Sequence, residues 1–309
     1  MAKAPDYLVF GHLLVEDTVM PGGERALGRL GGDAVYATVG AHIWTDRVAS
    51  VGRVGHNFPR EHIAALERAG YETAGLVPCE HNTLRLWVHY DERGGREYTF
   101  RDDSGTYAEL TVSPQEVPAQ LARDLVGCHV APVPFEQQEA LVRWARDRAR
   151  CVTVDPHYEW MRGHAEAWRR LLPLVDVFLP SREEAEDLLG HWRGAEAAAR
   201  ALADWGASVV CLKLGSDGAF VHERASGRAW RVPPVKTEPT DVTGCGDAFC
   251  GGFVVGFCET GDPYTAACYG AVSSSFVAAD FGAAHALVVD RAEARRRLDA
   301  ALVASATLR

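Results

Sequence analysis

Short β-branched and apolar runs alternate with helix-period segments along most of this 309-residue chain, and that alternation narrows the choice of fold more than any other feature. Strands are expected at residues 7–10, 47–51, 129–133, 151–154, 175–179, 209–213 and 219–222. Helices are expected at 35–44, 60–69, 134–148, 166–172, 182–189, 194–204, 247–258, 263–279 and 291–300. Strands separated by helices run parallel, and a parallel sheet needs helices on both faces to leave water. The expectation is an α/β fold of three layers around a mostly parallel sheet. With no repeat, low-complexity tract or linker, residues 1–309 read as one domain.

One region breaks the alternation. Residues 83–90 and 96–101 read as two strands joined by Asp91-Glu92-Arg93-Gly94-Gly95, a hairpin signal. With 15–20 and a segment near 26–29 they are expected to form a small separate sheet, a lid built from segments at about 14–30 and 83–103. A surface hairpin with no further role is the plainer alternative.

The chemistry concentrates in Asp241-Val242-Thr243-Gly244-Cys245-Gly246-Asp247-Ala248-Phe249, at the expected start of a helix. Gly244 and Gly246 free the backbone to converge successive N–H groups on one point, and the helix dipole adds positive potential there. Asp247 stands at the lip of this anion hole. A carboxylate repels phosphate but is suited to take the proton of a hydroxyl about to attack phosphate. Anion hole plus acid reads as phosphoryl transfer from a nucleotide to an alcohol, with a simple helix cap as the alternative. A Walker A loop is excluded because no Lys follows these glycines, and a dinucleotide fingerprint because Phe249 stands where its third glycine belongs.

The segment resembles the C-terminal signature of the ribokinase-like (PfkB) carbohydrate kinases, roughly D-T-T-G-A-G-D-x-F, with Val242 and Cys245 in place of the commoner Thr and Ala. The resemblance runs from about residue 7 to about residue 288. It implies a ribokinase-like three-layer sandwich whose small sheet lids the sugar, with ATP and Mg²⁺ as cofactors. It makes Asp247 the catalytic base and Gly244, Cys245 and Gly246 the anion hole, Gly244 and Gly246 also facing the nucleotide. Asp241 is implied as an aid to a monovalent cation such as K⁺ that orders the loop.

At the substrate end, Gly31-Gly32-Asp33 resembles the family's Gly-Gly signature, with Gly32 approaching the ligand and Asp33 accepting from vicinal hydroxyls. Tyr36 stands where the family usually has a sugar-contacting Asn. The family's sugar-binding acid follows a glycine by about five residues. Glu16 has that spacing from Gly11, but Asp17 fits the following Thr-Val-Met-Pro run better and is the preferred contact. Alternation along a strand turns only one of the two inward. Arg101 resembles the Arg that sugar-acid kinases place near a carboxylate, and Trp87, Tyr98 and Phe100 are candidates for an apolar wall. His157 stands where Asn is common, either toward the ligands or as a loop histidine.

At the nucleotide end, Ser181-Arg182-Glu183-Glu184 resembles the family's Asn-x-x-Glu motif, with Glu184 acting on Mg²⁺ largely through water, and it also reads as a capping box. Lys213-Leu214-Gly215-Ser216-Asp217-Gly218 resembles the loop against ATP: Lys213 toward a phosphate, Gly215 and Gly218 beside the base. Gly270, Ser273 and Ser274 lie on the helix expected to border the base. Gly251, Gly252 and Gly256 weaken their helix by about 1 kcal/mol each against Ala, which points to close helix packing.

A formal net charge of −10 argues against nucleic-acid and anionic-membrane partners. The eight cysteines contain no CxxC pair and read as free thiols of a reducing cytosol, and no zinc site is expected. No signal peptide and no apolar run of membrane length is read, so a cytoplasmic location is expected. The expected activity is ATP-dependent phosphorylation of a sugar or sugar acid. A nucleoside kinase on the same fold and a non-catalytic sugar-binding regulator are the alternatives. The exposed edge of a lid sheet suggests a homodimer.

Overall fold

The computed structural model describes residues 4–306. Nine strands form the central sheet: β1 Tyr7–Phe10, β4 Val48–Gly55, β5 Leu76–Cys79, β8 Leu125–Val130, β9 Ala149–Val154, β10 Val177–Phe178, β11 Val209–Lys213, β12 Ala219–Glu223 and β13 Ala229–Val232. Their spatial order is β13-β12-β11-β10-β9-β8-β1-β4-β5, parallel except where β12 and β13 turn back antiparallel at one edge. Tyr7 pairs with Val48 on one side and Gly127 on the other, so β1 lies inside the parallel block beside its central strand, β8.

Period-two alternation divides each strand between two cores. Leu8 and Phe10 pack with α4 Phe135–Arg146, α5 Ala165–Leu171, α6 Arg182–Leu189 and α7 Ala195–Ala203. Tyr7 and Val9 pack with α1 Asp33–His42, α8 Cys245–Thr260, α9 Pro263–Val277 and α10 Arg291–Ala306. Helices on both faces give the expected ribokinase-like three layers. On the second face the contact is backbone to backbone: a Cβ on Gly251 would stand 1.8 Å from the Ala37 carbonyl oxygen, and one on Gly40 2.1 Å from that of Ala248. The helix glycines thus serve packing, as their cost suggested.

Boundaries differ from expectation where proline intervenes. The strand expected at 129–133 is β8, Leu125–Val130, because Pro132 and Pro134 take the following residues off the ladder. The freed segment becomes a loop at the C-terminal ends of the strands. β5 and β13, on the two outer edges, were not foreseen.

The second sheet has four strands in the order β3-β2-β6-β7: β2 Leu14–Val19, β3 Arg25–Gly31, β6 Leu84–Tyr90 and β7 Arg96–Phe100. β2 pairs parallel with β6, the other two pairs being antiparallel. Register sets its faces. Glu16 lies opposite Leu86, and Leu86 opposite Phe100, while Asp17 lies opposite Trp87. β7 is exposed along its whole length.

Candidate active site

The C-terminal ends of the parallel strands deliver the site, as crevices outside such ends generally do. Asp155 follows β9, Ser181 follows β10 and Lys213 ends β11, while Asp33 opens α1 after the lid strand β3. The N-terminus of α8 and the inner face of the lid close a cleft of about 190 Å³. Lining it are Glu16, Gly32, Asp33, Tyr36, Glu184, Thr243, Gly244 and Asp247. Leu14, Leu86, Tyr98, Tyr107, Pro132, His157 and Tyr158 supply its apolar and aromatic walls.

Gly244 caps α8 with φ +74°, a left-handed conformation open to glycine. A Cβ there would sit 2.2 Å from the Tyr36 ring, so the loop rests directly on that ring. Ser274 Oγ donates to the Cys245 carbonyl at 2.5 Å, tying α9 to the same loop. Cys245 N–H donates to the Val242 carbonyl at 3.3 Å, and the other first-turn N–H groups without an intrahelical acceptor sit at the positive end of the dipole of a 16-residue helix. Asp247 lies in that first turn, its carboxyl pushed up to about 7 by burial and by the charges of Asp33 and Glu184, with Lys213 and Arg96 pulling it down. A carboxyl half-ionised near neutrality is poised for general-base work.

Lys213 runs beneath the loop, where a Cβ on Gly246 would lie 3.6 Å from its Nζ. Its ammonium pairs with Asp155, which also accepts from the Cys250 thiol at 3.4 Å. Burial works against the ammonium, but Asp155 and the neighbouring carboxylates push its pKa well above the ordinary lysine range. Lys213 therefore stays charged behind the anion hole. Asp155 was missed as a site residue because its partner is 58 positions away. Gly215 and Gly218, both at positive φ, form the turn from β11 to β12 just beyond. Gly270 packs on Phe249, and Ser273 bonds the Gly40 carbonyl at 2.8 Å.

Ser181 and Glu184 form the expected capping box: Ser181 N–H donates to Glu184 Oε2 at 2.7 Å, and Glu184 N–H to Ser181 Oγ at 3.2 Å. The box holds Glu184 at the cleft, and burial raises its pKa. No cluster of three or more His, Cys, Asp or Glu suited to a metal occurs among the described residues. Mg²⁺ needs no such cage, since it keeps several waters and takes phosphate oxygens plus one or two carboxylates. Glu184, a hard oxygen donor facing the cleft, fits that requirement.

Two substrate expectations are corrected. Glu16, not Asp17, faces the cleft. It accepts from Tyr36 Oη at 2.6 Å and from Gly32 N–H at 3.3 Å, and burial pushes its carboxyl up to about 8. Asp17 points to the opposite lid face, accepting from Gly28 N–H at 2.7 Å and pairing with Arg101 at 2.7 Å. Arg101 is thereby engaged away from the cleft, with Asp103 as a second partner, and is not a free carboxylate clamp. Spacing from Gly11 had marked Glu16, and the following run misled. Trp87 shares the outer face with Asp17, while Tyr98 and Phe100 stand on the inner one.

Asp33 is held by His12, accepting from its backbone N–H at 2.6 Å and lying 3.0 Å from its Nδ1. Tyr36 is buried at the cleft floor. His157, kept neutral by burial at a pKa of about 4, stacks 4.5 Å from Tyr158 and lies 5.3 Å from Tyr107. Behind the loop, Asp241 accepts from Tyr90 Oη at 2.6 Å and Thr243 N–H at 2.8 Å, and its Oδ2 is buried without a partner.

Comparison with known proteins agrees with this arrangement. Residues 13–289 match the model of the pfkB family carbohydrate kinases. The chain is 28% identical to a cytidine kinase of Thermococcus kodakarensis, over 82% of its own length and 88% of the relative. Among solved structures, the Burkholderia thailandensis nucleoside kinase in complex with inosine superposes with a TM-score of 0.78 at 19% identity, covering 96% of this chain and 97% of that one. Fructokinase from Xylella fastidiosa with bound ATP superposes with a TM-score of 0.77 at 19% identity, covering 96% and 98%.

Proposed function

We propose that this chain, which belongs to the pfkB family of carbohydrate kinases, transfers the γ-phosphoryl of ATP to a primary hydroxyl of a nucleoside. One observation carries the choice of substrate. Among the described residues, Tyr98 and Tyr158 are two of the seven large apolar side chains left exposed, and both line the same cleft, with Tyr107 and His157 between the lid and the sheet. Exposed aromatic faces gathered in one crevice favour a planar, π-bearing ligand. The likeness to a cytidine kinase agrees. A neutral sugar is the second reading, because Glu16, Gly32 and Asp33 offer oxygens and a backbone approach suited to vicinal hydroxyls. The sugar-acid reading loses its support with Arg101 bound to Asp17.

Asp247 accepts the proton of the attacking hydroxyl. The N–H groups of Gly244 and Gly246 and the α8 dipole receive charge developing on the transferred phosphoryl, while Cys245 N–H, which donates to the Val242 carbonyl at 3.3 Å, shapes the turn between them. Lys213 holds positive potential behind them, its position fixed by Asp155. Tyr36 joins the two halves: its ring carries Gly244 and its hydroxyl holds Glu16. Ser181 and Glu184 serve the nucleotide side, Glu184 as holder of Mg²⁺, which when bound screens the phosphate charges. Gly215, Gly218 and Ser274 border the nucleotide, Ser274 through the anion-hole loop. The orphan Asp241 Oδ2 has the chemistry to hold a monovalent cation.

The test is ADP release with Mg-ATP across nucleosides, pentoses, hexoses and keto-deoxy sugar acids. Turnover led by nucleosides is expected. Turnover confined to acids would overturn the substrate assignment and leave the chemistry standing.

A further inference from the structure

The tip of the lid hairpin reaches the anion-hole loop. Tyr90 and Arg96 are the cross-strand pair beside the turn at residues 91–95. Tyr90 Oη donates to Asp241 and accepts from Val242 N–H at 3.2 Å. Arg96 Nη1 donates to the Val242 carbonyl at 3.2 Å, and its guanidinium lies 6.0 Å from the centre of the Tyr98 ring. Both side chains of the pair therefore land within six residues of Asp247 in sequence.

Arg96 differs from Arg85 on β6 and from Arg101 just after β7. Arg85 pairs with Asp103, and Arg101 with Asp17 and Asp103. Arg96 has no carboxylate within ion-pair distance among the described residues, and it is solvent-exposed on β7 two residues before Tyr98, which lines the cleft. A guanidinium left without a protein anion, beside a loop whose N–H groups already await one, is matched to phosphate oxygens by its planar fork of donors. Its field reaches the reacting groups, lowering the pKa of Asp247 and of the Cys245 thiol.

We propose that Arg96 is a catalytic residue supplied by the lid, its guanidinium contacting the γ-phosphoryl oxygens during transfer while the hairpin tip rests on the anion-hole loop. This rests on the phosphotransfer reading above and adds a donor that neither the motifs nor the sheet edge provide. The arrangement couples lid closure to catalysis, because the same hairpin carries Tyr98 on the acceptor's wall. An arginine brought to a transferring phosphoryl accelerates it by ~10³ to 10⁵ in other phosphotransferases, and a partly exposed one belongs at or below that range.

The experiment compares wild type, Arg96→Gln and Arg96→Lys in full pH profiles of kcat and kcat/KM, using the best acceptor of the panel. R96Q is expected to lose ~10²-fold or more in kcat, with the acceptor KM changed by less than about threefold. Its acid limb should also move to higher pH, since a cation opposing protonation of Asp247 is gone while Lys213, Asp33 and Glu184 remain. R96K keeps the charge and should restore the limb but only part of kcat. An R96Q enzyme with kcat within threefold of wild type, or with a raised KM and unchanged kcat, would overturn the proposal. Calorimetric binding of a non-hydrolysable ATP analogue and of ADP supplies a readout that needs no acceptor. R96Q should weaken the triphosphate and spare ADP, and equal effects on both would overturn the role even if no acceptor were found.

Discussion

The anion-hole loop and the lid face each other across one cleft but are built on different principles. The loop is held by backbone contacts: α1 touching α8 at Gly40 and Gly251, Gly244 seated on the Tyr36 ring, and Ser274 bonded to the Cys245 carbonyl. Toward a phosphoryl group it offers backbone N–H groups, and the Asp247 carboxyl joins them from the first turn of α8. The lid offers side chains, and which ones it offers depends on a strand's two faces. A shift of one residue exchanges Glu16 for Asp17 and thereby a buried acceptor for a surface ion pair. Reaction class is thus written into glycine positions, and specificity into the direction of side chains.

The largest effect should come from the loop. Asp247→Asn leaves the fold and the N–H groups in place and removes the proton acceptor. A kcat loss of at least ~10²-fold is expected, with ATP binding kept, about 3 kcal/mol on the barrier. Wild-type kcat/KM should decline on the acid side near pH 7, because Asp247, with its carboxyl near that value, must be ionised to act. A variant retaining most of its turnover would break the assignment of catalysis to the loop.

The middle effect lies where the two regions meet. Glu16 titrates at about 8 in the folded protein against an ordinary 4.5, so across that window the folded state holds a proton that the unfolded chain has released. This contribution is fully present below the unfolded value and is lost as pH rises through about 8. Glu16→Gln, which keeps a neutral acceptor toward Tyr36, should flatten the fall in Tm between pH 6 and 9. It should raise the acceptor KM by about tenfold, one hydrogen bond to a buried group, with little change in the KM for ATP. A pH slope of Tm identical to wild type would show that Glu16 is already ionised.

The parts visible in sequence were those where local chemistry has one solution. Gly244 needs positive φ, Ser181 and Glu184 make a capping box three residues apart, and the parallel strands of the central sheet are separated by helices. The lid strands were visible as well, from alternation and a turn. Hidden features depend on partners distant in sequence. Asp155 under Lys213, Tyr90 on Asp241 and Arg96 on Val242 are set by topology, each across 58 residues or more. Tyr36 was read as a missing Asn, whereas its ring and hydroxyl replace that contact with a support shared by both regions. Arg101 misled because a hairpin arginine gives no local sign of which acid will claim it.

The smallest effect should be that of Arg101. Its guanidinium is partly exposed, bonded to the buried Asp17 on the outer lid face and to the exposed Asp103. Arg101→Ala leaves Asp17 with only the Gly28 N–H, so the cost falls on lid stability and stays well below the ~3–5 kcal/mol of breaking a fully buried pair, because one partner is solvated. Turnover of neutral acceptors should change by less than about threefold, since nothing in the cleft loses a contact. Tm should drop modestly, and Asp17→Asn should lower it no further when added to R101A, the two residues acting as one unit. A tenfold or greater loss of kcat/KM in R101A, confined to acidic acceptors, would instead mean that the guanidinium leaves Asp17 to meet substrate, and would return the lid's outer face to the site.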